Sequence, residues 1–241
     1  MLSVPTLPAN LQANLDALHE RITKAARAAG RDPSSVRLLA VSKAFGADAI
    51  LSAAAAGQRA FGENYVQEAA AKMTSIRALR PDLAFEWHFI GPIQSNKTRA
   101  IAERFDWVQS VDRLKTAERL AEQRPANLPR LNVLLQVNVS AEASKSGATP
   151  DELRQLATAV ERLPRLRLRG LMAIPAPQVN VAQQRIVFAS TNALFRQLRE
   201  DGLKVDVLSM GMSDDLEAAI AEGSTMVRVG TAIFGARPPR Q

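Results

Sequence analysis

The chain has 241 residues, 46% of them apolar, with 31 lysines and arginines against 24 acids and no cysteine. That length suits one barrel-sized domain of roughly 250 residues or two small ones, and the lack of cysteine excludes disulfides, thiolate metal sites and cysteine nucleophiles. The net charge of +7 invites a nucleic-acid partner, but basic residues are scattered among acids along helical stretches, as in 113–124. They form no stripe with interleaved aromatics, so a surface that mildly attracts anionic ligands is the simpler reading. The two histidines, His19 and His88, are too few for a His-based metal centre, and no metal is expected. Apolar runs such as 51–57 are too short to cross a bilayer. The first ten residues lack the charged and apolar regions of a signal peptide, so cytoplasmic residence is expected.

An amphipathic helix comes first, over 10–29, with Leu11, Leu15, Leu18 and Ile22 at helical spacing and Gly30 as its stop. Eight strand candidates follow at 37–42, 59–62, 86–91, 107–111, 132–139, 167–174, 205–209 and 226–229. Helical stretches fill the gaps at 48–56, 66–79, 95–104, 113–123, 150–163, 181–200 and 213–221. This βα alternation, with a period of about 25 to 30 residues, predicts a parallel sheet, and eight strands favour closure into an α/β barrel of the (β/α)8 TIM type, with an open doubly wound sheet as the alternative. Thr149, Pro150 and Glu152 read as a capping box with an N1 proline. Ser213 followed by Asp214 and Asp215 reads as a second capped start. No linker divides the chain, so a single domain over 1–241 is expected, with 237–241 as a loose tail.

In such a barrel the working groups stand at the C-terminal ends of the strands. Lys43 ends the apolar run 38–41, and partial desolvation there would leave a neutral amine available for a carbonyl; the plainer alternative is a lysine that snorkels to solvent. Ser209, Gly211 and Ser213 after the seventh strand, and Gly230 with Thr231 after the eighth, favour a phosphate, although ordinary turn chemistry has the same composition. Arg228, inside the eighth strand, requires a partner: a ligand or an ion pair. Capping and dipole complementation account for Glu63, Asp214 and Asp215 more simply than acid–base work does. His88 reads as a satisfied core or rim residue. The run 91–98 is similar to a P-loop but has Asn96 in place of its second glycine, so nucleotide binding is rejected.

These residues fall in blocks that resemble the YggS/PROSC family, the pyridoxal 5′-phosphate (PLP) homeostasis proteins. The blocks are AVSK at 40–43, FGENYVQE at 61–68, WHFIGPIQSNKT at 87–98, SKSG at 144–147, RGLMAIP at 169–175, SMGMSDD at 209–215 and MVRVGTAIFG at 226–235. Ala44, Phe45 and Gly46 depart from the family's usual polar, proline-containing run after the lysine. The resemblance implies a fold like the N-terminal barrel of alanine racemase, PLP held as a Schiff base on Lys43, and no substantial turnover. It implies that Asn64 lies beside the pyridine ring, that Arg228 faces the ring nitrogen, and that Ser209, Met210, Gly230 and Thr231 hold the phosphate. The partners it implies are PLP and, through it, PLP-dependent apoenzymes; the lack of an obvious exposed apolar stripe separately tilts the expectation towards a monomer. The rival is a fold-type III racemase or decarboxylase, or a lysine aldolase on the same barrel. An arginine at the ring nitrogen disfavours the protonated pyridinium that serves as a full electron sink. A racemase also needs a tyrosine base on the opposite face, and this chain has only Tyr65 and no second domain to lend another.

Overall fold

In a computed structural model that describes residues 11–139, 146–178 and 180–236, the first helix, α1 (Leu11–Ala28), buries Leu11, Leu15, Leu18 and Ile22 on one stripe, as their 3.6-residue spacing requires. Eight parallel strands follow: β1 (Arg37–Val41), β2 (Ala60–Glu63), β3 (Glu86–Phe89), β4 (Trp107–Val111), β5 (Leu131–Gln136), β6 (Leu166–Met172), β7 (Val207–Ser209) and β8 (Met226–Val229). Each pairs with the next, and β8 pairs with β1 in register Leu39 to Arg228, so the sheet closes into a barrel. The intervening helices are α2 (Ala47–Ala55), α3 (Val66–Leu79), α4 (Thr98–Arg104), α5 (Leu114–Gln123), α6 (Pro150–Glu161), α7 (Val181–Glu200) and α8 (Leu216–Ala221), with a short α9 (Thr231–Phe234) after β8. This is the expected (β/α)8 TIM barrel.

The strands read as near-continuous apolar runs because both of their faces are covered. Leu39, Ala60, Trp107, Leu134, Met172, Val207 and Met226 fill the barrel, while Leu38, Phe61, Trp87, Val108 and Leu208 pack outward with the helices. Each wholly buried leucine among them contributes about 1.5–3 kcal/mol. Several predicted strands run past their real ends, since loop residues such as Ile174 and Val139 share the apolar composition of the strands they follow.

The capping box on α6 forms as expected, with the Thr149 hydroxyl accepting from Glu152 N and the Glu152 carboxylate accepting from Thr149 N. The expected start at Ser213 is corrected: α8 begins at Leu216, and Asp215 instead accepts from Met212 N at 2.6 Å, bracing the loop before the helix. The stretch 95–104 divides into a 3-10 turn at Ser95–Lys97 and α4. Residues 237–241, and Ser144 with Lys145, lie outside the described residues. Helix α1 packs on α8 and α9, with Asn14 Nδ2 donating to Ile233 O at 3.0 Å. That contact sets α1 beside the ends of β7 and β8.

Candidate functional site

At the C-terminal mouth of the barrel lies a cavity of about 490 Å³ lined by Lys43, Asn64, Arg228, Gly230 and Thr231, together with Arg21, Ser213 and Asp214. That volume is in the range of small-molecule sites, about 300–1,000 Å³. A hollow of about 470 Å³ on the outer wall, bordered by Arg77, Phe85 and Arg104, gathers no strand-end group.

Five of the seven residues expected to bind the cofactor therefore meet, and two do not. Ser209 and Met210 are wholly buried and do not line the cavity. The Ser209 hydroxyl donates to Gln109 Oε1 at 2.7 Å and accepts from Arg228 Nη1 at 2.7 Å. The Met210 N–H bonds Met226 O. The reason is geometric: β7 ends at Ser209 with its side chain inside the barrel, and the chain must continue to Met212 and Ser213 before it reaches the mouth.

The turn that carries Lys43 rests on a buried ionic cluster. Lys72 Nζ, from α3, donates to Glu63 Oε1 at 2.8 Å and to Ser42 O at 2.8 Å, and lies 2.5 Å from Glu68 Oε1. Ser42 Oγ also donates to Glu63. Burial pushes the Glu63 carboxyl above its ordinary value, opposed by Lys72. Glu63 is thus neither a cap nor a mouth group; it is one half of an ion pair beneath the mouth. Glu68 Oε1 accepts from Ala44 N at 2.7 Å, and Ala44 has φ 68°, a left-handed conformation that costs a residue with a Cβ about 1–2 kcal/mol. Next to it the Phe45 ring packs 5.0 Å from Phe234 of α9. The turn at 44–46 is thus fixed from both sides.

Arg228 is buried, with Nη1 on Ser209 and Nη2 donating to Ala173 O at 2.9 Å. Among the described residues it makes no ion pair at contact distance, and burial lowers it to about 10, so it stays charged at neutral pH. Asn64 Oδ1 is buried without a hydrogen-bond partner, an omission that folded proteins rarely leave uncompensated. Gly230 lets β8 approach β1, since a Cβ there would sit 3.1 Å from Val41 O.

Arg21 escapes sequence reasoning. It borders the cavity from α1, donating to Ser213 O at 3.0 Å and bidentately to Glu217 at 2.8 and 3.0 Å. The only signal in the chain is a cation flanking the apolar stripe of α1, which any surface helix shows.

His88 is buried and satisfied on both nitrogens, by Glu86 Oε1 at 2.7 Å and Gln109 Nε2 at 2.9 Å. Burial holds it below 6.5, against the pull of Glu86 and Asp106 and with the help of Arg37. The unfolded chain therefore binds a proton below about pH 6.5 that the native protein refuses. Stability should fall with decreasing pH from there, by up to about 1.4 kcal/mol per pH unit. Urea denaturation at about pH 7.5 and about pH 5.5 should show this slope reduced by one proton's worth in His88→Asn; parallel slopes would contradict it.

The model of the family described as alanine racemase, N-terminal domain, matches residues 13–238. The chain belongs to that family. It is 60% identical over 224 residues to a Pseudomonas aeruginosa protein named pyridoxal phosphate homeostasis protein, covering 93% of this chain and 94% of that one. Among solved structures it is similar to PipY of Synechococcus elongatus with PLP bound, at 37% identity and a TM-score of 0.81, covering 94% of this chain and all of that one. Alanine racemase of Corynebacterium glutamicum shares the fold at 20% identity and a TM-score of 0.65, covering 93% of this chain but 62% of the racemase.

Proposed function

We propose that this protein binds PLP at the mouth of its barrel and holds it for intracellular cofactor homeostasis, with Lys43 as the covalent anchor. The observation that carries the reading is the meeting of Lys43, Asn64, Arg228, Gly230 and Thr231 in one cavity, in a chain whose relatives include PipY with PLP bound. PLP supplies an aldehyde that condenses reversibly with a primary amine and a phosphate that a protein can grip.

The donor set fits that ligand. Lys43 offers the amine, on a turn fixed by Glu68 and Phe234. Arg228 presents its guanidinium to the ring nitrogen, and the orphaned Asn64 Oδ1 gains a polar neighbour beside the ring. Thr231 and the first N–H groups of α9, which have no partner within their own helix, grip the phosphate together with the Ser213 loop and the Arg21 charge. Ser209 and Met210 act from behind, by bracing Arg228 and the loop.

We further propose that the protein does not turn substrate over. The cavity lining contains one carboxylate, Asp214, and no tyrosine or histidine among the described residues. Tyr65, the cap residue of α3, is 43% exposed and outside that lining. Incubation with an amino acid in deuterated water should leave its α-proton unexchanged.

Dispersed exposed apolar residues, such as Leu79 and Ile186, fit a monomer acting as a single domain. No helix among the described residues is long and apolar enough to cross a membrane, which fits the proposed cytoplasmic role of serving PLP-dependent apoenzymes.

The test is borohydride reduction of the PLP-loaded protein followed by peptide mass mapping. A single modified lysine, Lys43, is expected, and Lys43→Ala should lose both the label and the yellow absorbance. Equal labelling of the variant, or label spread over other lysines, would overturn the assignment.

A further inference from the structure

A line of hydrogen bonds runs inside the barrel from the mouth to the opposite end. Arg228 Nη1 donates to Ser209 Oγ at 2.7 Å, Ser209 Oγ donates to Gln109 Oε1 at 2.7 Å, Gln109 Nε2 meets His88 Nδ1 at 2.9 Å, and His88 Nε2 meets Glu86 Oε1 at 2.7 Å. Arg37 Nη2 donates to the same Glu86 oxygen at 2.7 Å. The links come from β8, β7, β4 and β3, and Glu86 and Arg37 stand at the first residues of β3 and β1, the end of the barrel away from the mouth.

The direction of every bond is forced. Half-burial pushes the Glu86 carboxyl upward, but the His88 hydrogen bond and the Arg37 charge hold it down to about 2, so at neutral pH it can only accept. His88 must then carry its proton on Nε2. Burial keeps that ring neutral, so Nδ1 is an acceptor and Gln109 must turn its NH2 towards it. The second amide hydrogen falls on Met226 Sδ at 3.2 Å. That leaves Gln109 Oε1 facing Ser209, whose hydroxyl donates to it and offers a lone pair to Arg228. No amide flip or tautomer change is tolerated, because either would set two donors or two acceptors against each other. The ring is also clamped: it stacks on Trp107 at 5.1 Å and 12°, and Arg169 lies 4.7 Å over the other partner in that stack, the Trp107 ring.

We propose that Glu86, His88, Gln109 and Ser209 are positioning residues for Arg228, forming a one-way donor chain through which a carboxylate at the far end of the barrel orients and compensates a guanidinium at the mouth. Asp215 favours the charged form of Arg228 from a distance, and the chain adds a second route: neutral groups, each polarised in the same sense, link the guanidinium to the Glu86 anion. It also explains why Ser209 is turned inward. This inference rests on the reading of Arg228 as the partner of the PLP ring nitrogen, and it assigns work to residues that touch no ligand.

Two measurements separate it from that reading. In the ligand-free protein, rotation of the Arg228 guanidinium, followed by side-chain 15N NMR, should be restricted in wild type and faster in Gln109→Met and in Glu86→Gln. The His88 nitrogens should report the neutral Nε2–H tautomer. In the loaded protein, Gln109→Met should weaken PLP binding about tenfold, with a smaller loss in the same direction for Glu86→Gln. Binding of an analogue with carbon in place of the ring nitrogen should be unchanged in both. Unchanged guanidinium rotation, or an Nδ1–H tautomer, would overturn the donor chain whatever PLP does. Equal losses for PLP and the analogue would reduce these residues to ordinary core packing, also overturning the proposal. A wild type that shows the NMR signatures but binds no PLP would sink the functional reading and leave the chain standing.

Discussion

Lys72→Met should destabilise the protein by about 3–5 kcal/mol, the loss typical when one member of a buried ion pair is removed and its partner stays behind. Glu63 is wholly buried and Lys72 nearly so. Without the ammonium, Glu63 keeps only the Ser42 hydroxyl at Oε1, and its Oε2 already lacks a partner. The same change should become worse as pH rises. The Glu63 carboxyl is raised above 4.5 in the folded protein, and loss of the Lys72 charge raises it further. The native variant then holds a proton that the unfolded chain releases above 4.5, and the stability this proton contributes fades as pH climbs through the raised folded value. Urea denaturation at about pH 5 and about pH 8 measures both effects. Adding Glu63→Leu should recover much of the loss, since the orphaned charge goes with it. A destabilisation under about 1 kcal/mol would mean that the cluster relaxes freely and is not the support of the Lys43 turn.

Gly91→Ala should damage the site from outside it. A Cβ at Gly91 would stand 2.3 Å from Asn64 O and 2.8 Å from Asn64 Cα, which are backbone atoms with no rotamer to yield. Gly91 cannot retreat easily, since Ser110 Oγ donates to its carbonyl at 2.5 Å. The loop after β2 must move instead, carrying Asn64 away from the cavity it lines. Such overpacking costs about 1–3 kcal/mol. The expected result is a lower urea midpoint together with at least an approximately tenfold weaker uptake of PLP, read from the absorbance of the loaded protein. Unaltered uptake would show that the Asn64 loop has no part in the site.

The βα repeat is legible in the sequence because its cause is local. Alternating apolar runs and amphipathic stretches specify strands and helices over windows of five to fifteen residues or so, and the parallel order follows from the alternation. Lys43 and Arg228 were legible for the same reason: a cation that ends or interrupts an apolar strand is conspicuous without any partner in view. The start of α8 was misread because Ser213, Asp214 and Asp215 have the composition of a cap, whereas Asp215 spends its carboxylate on Met212 N. A cap and a loop brace use the same side chains.

What the chain determined alone is the element order, the parallel βα repeat and the strand ends from which the amine and the guanidinium arise; closure of the sheet through β8 and β1 was decided in three dimensions. Which polar groups face which was decided only in three dimensions. Arg21 reaches Glu217 across 196 positions, Ser209 reaches Gln109 across 100, and Lys72 slides under Glu63 from a neighbouring helix. Periodicity tells which face of an element a side chain occupies. Its partner depends on the stagger of strands around the barrel and on where each helix settles, and both are fixed by packing summed over the whole sheet.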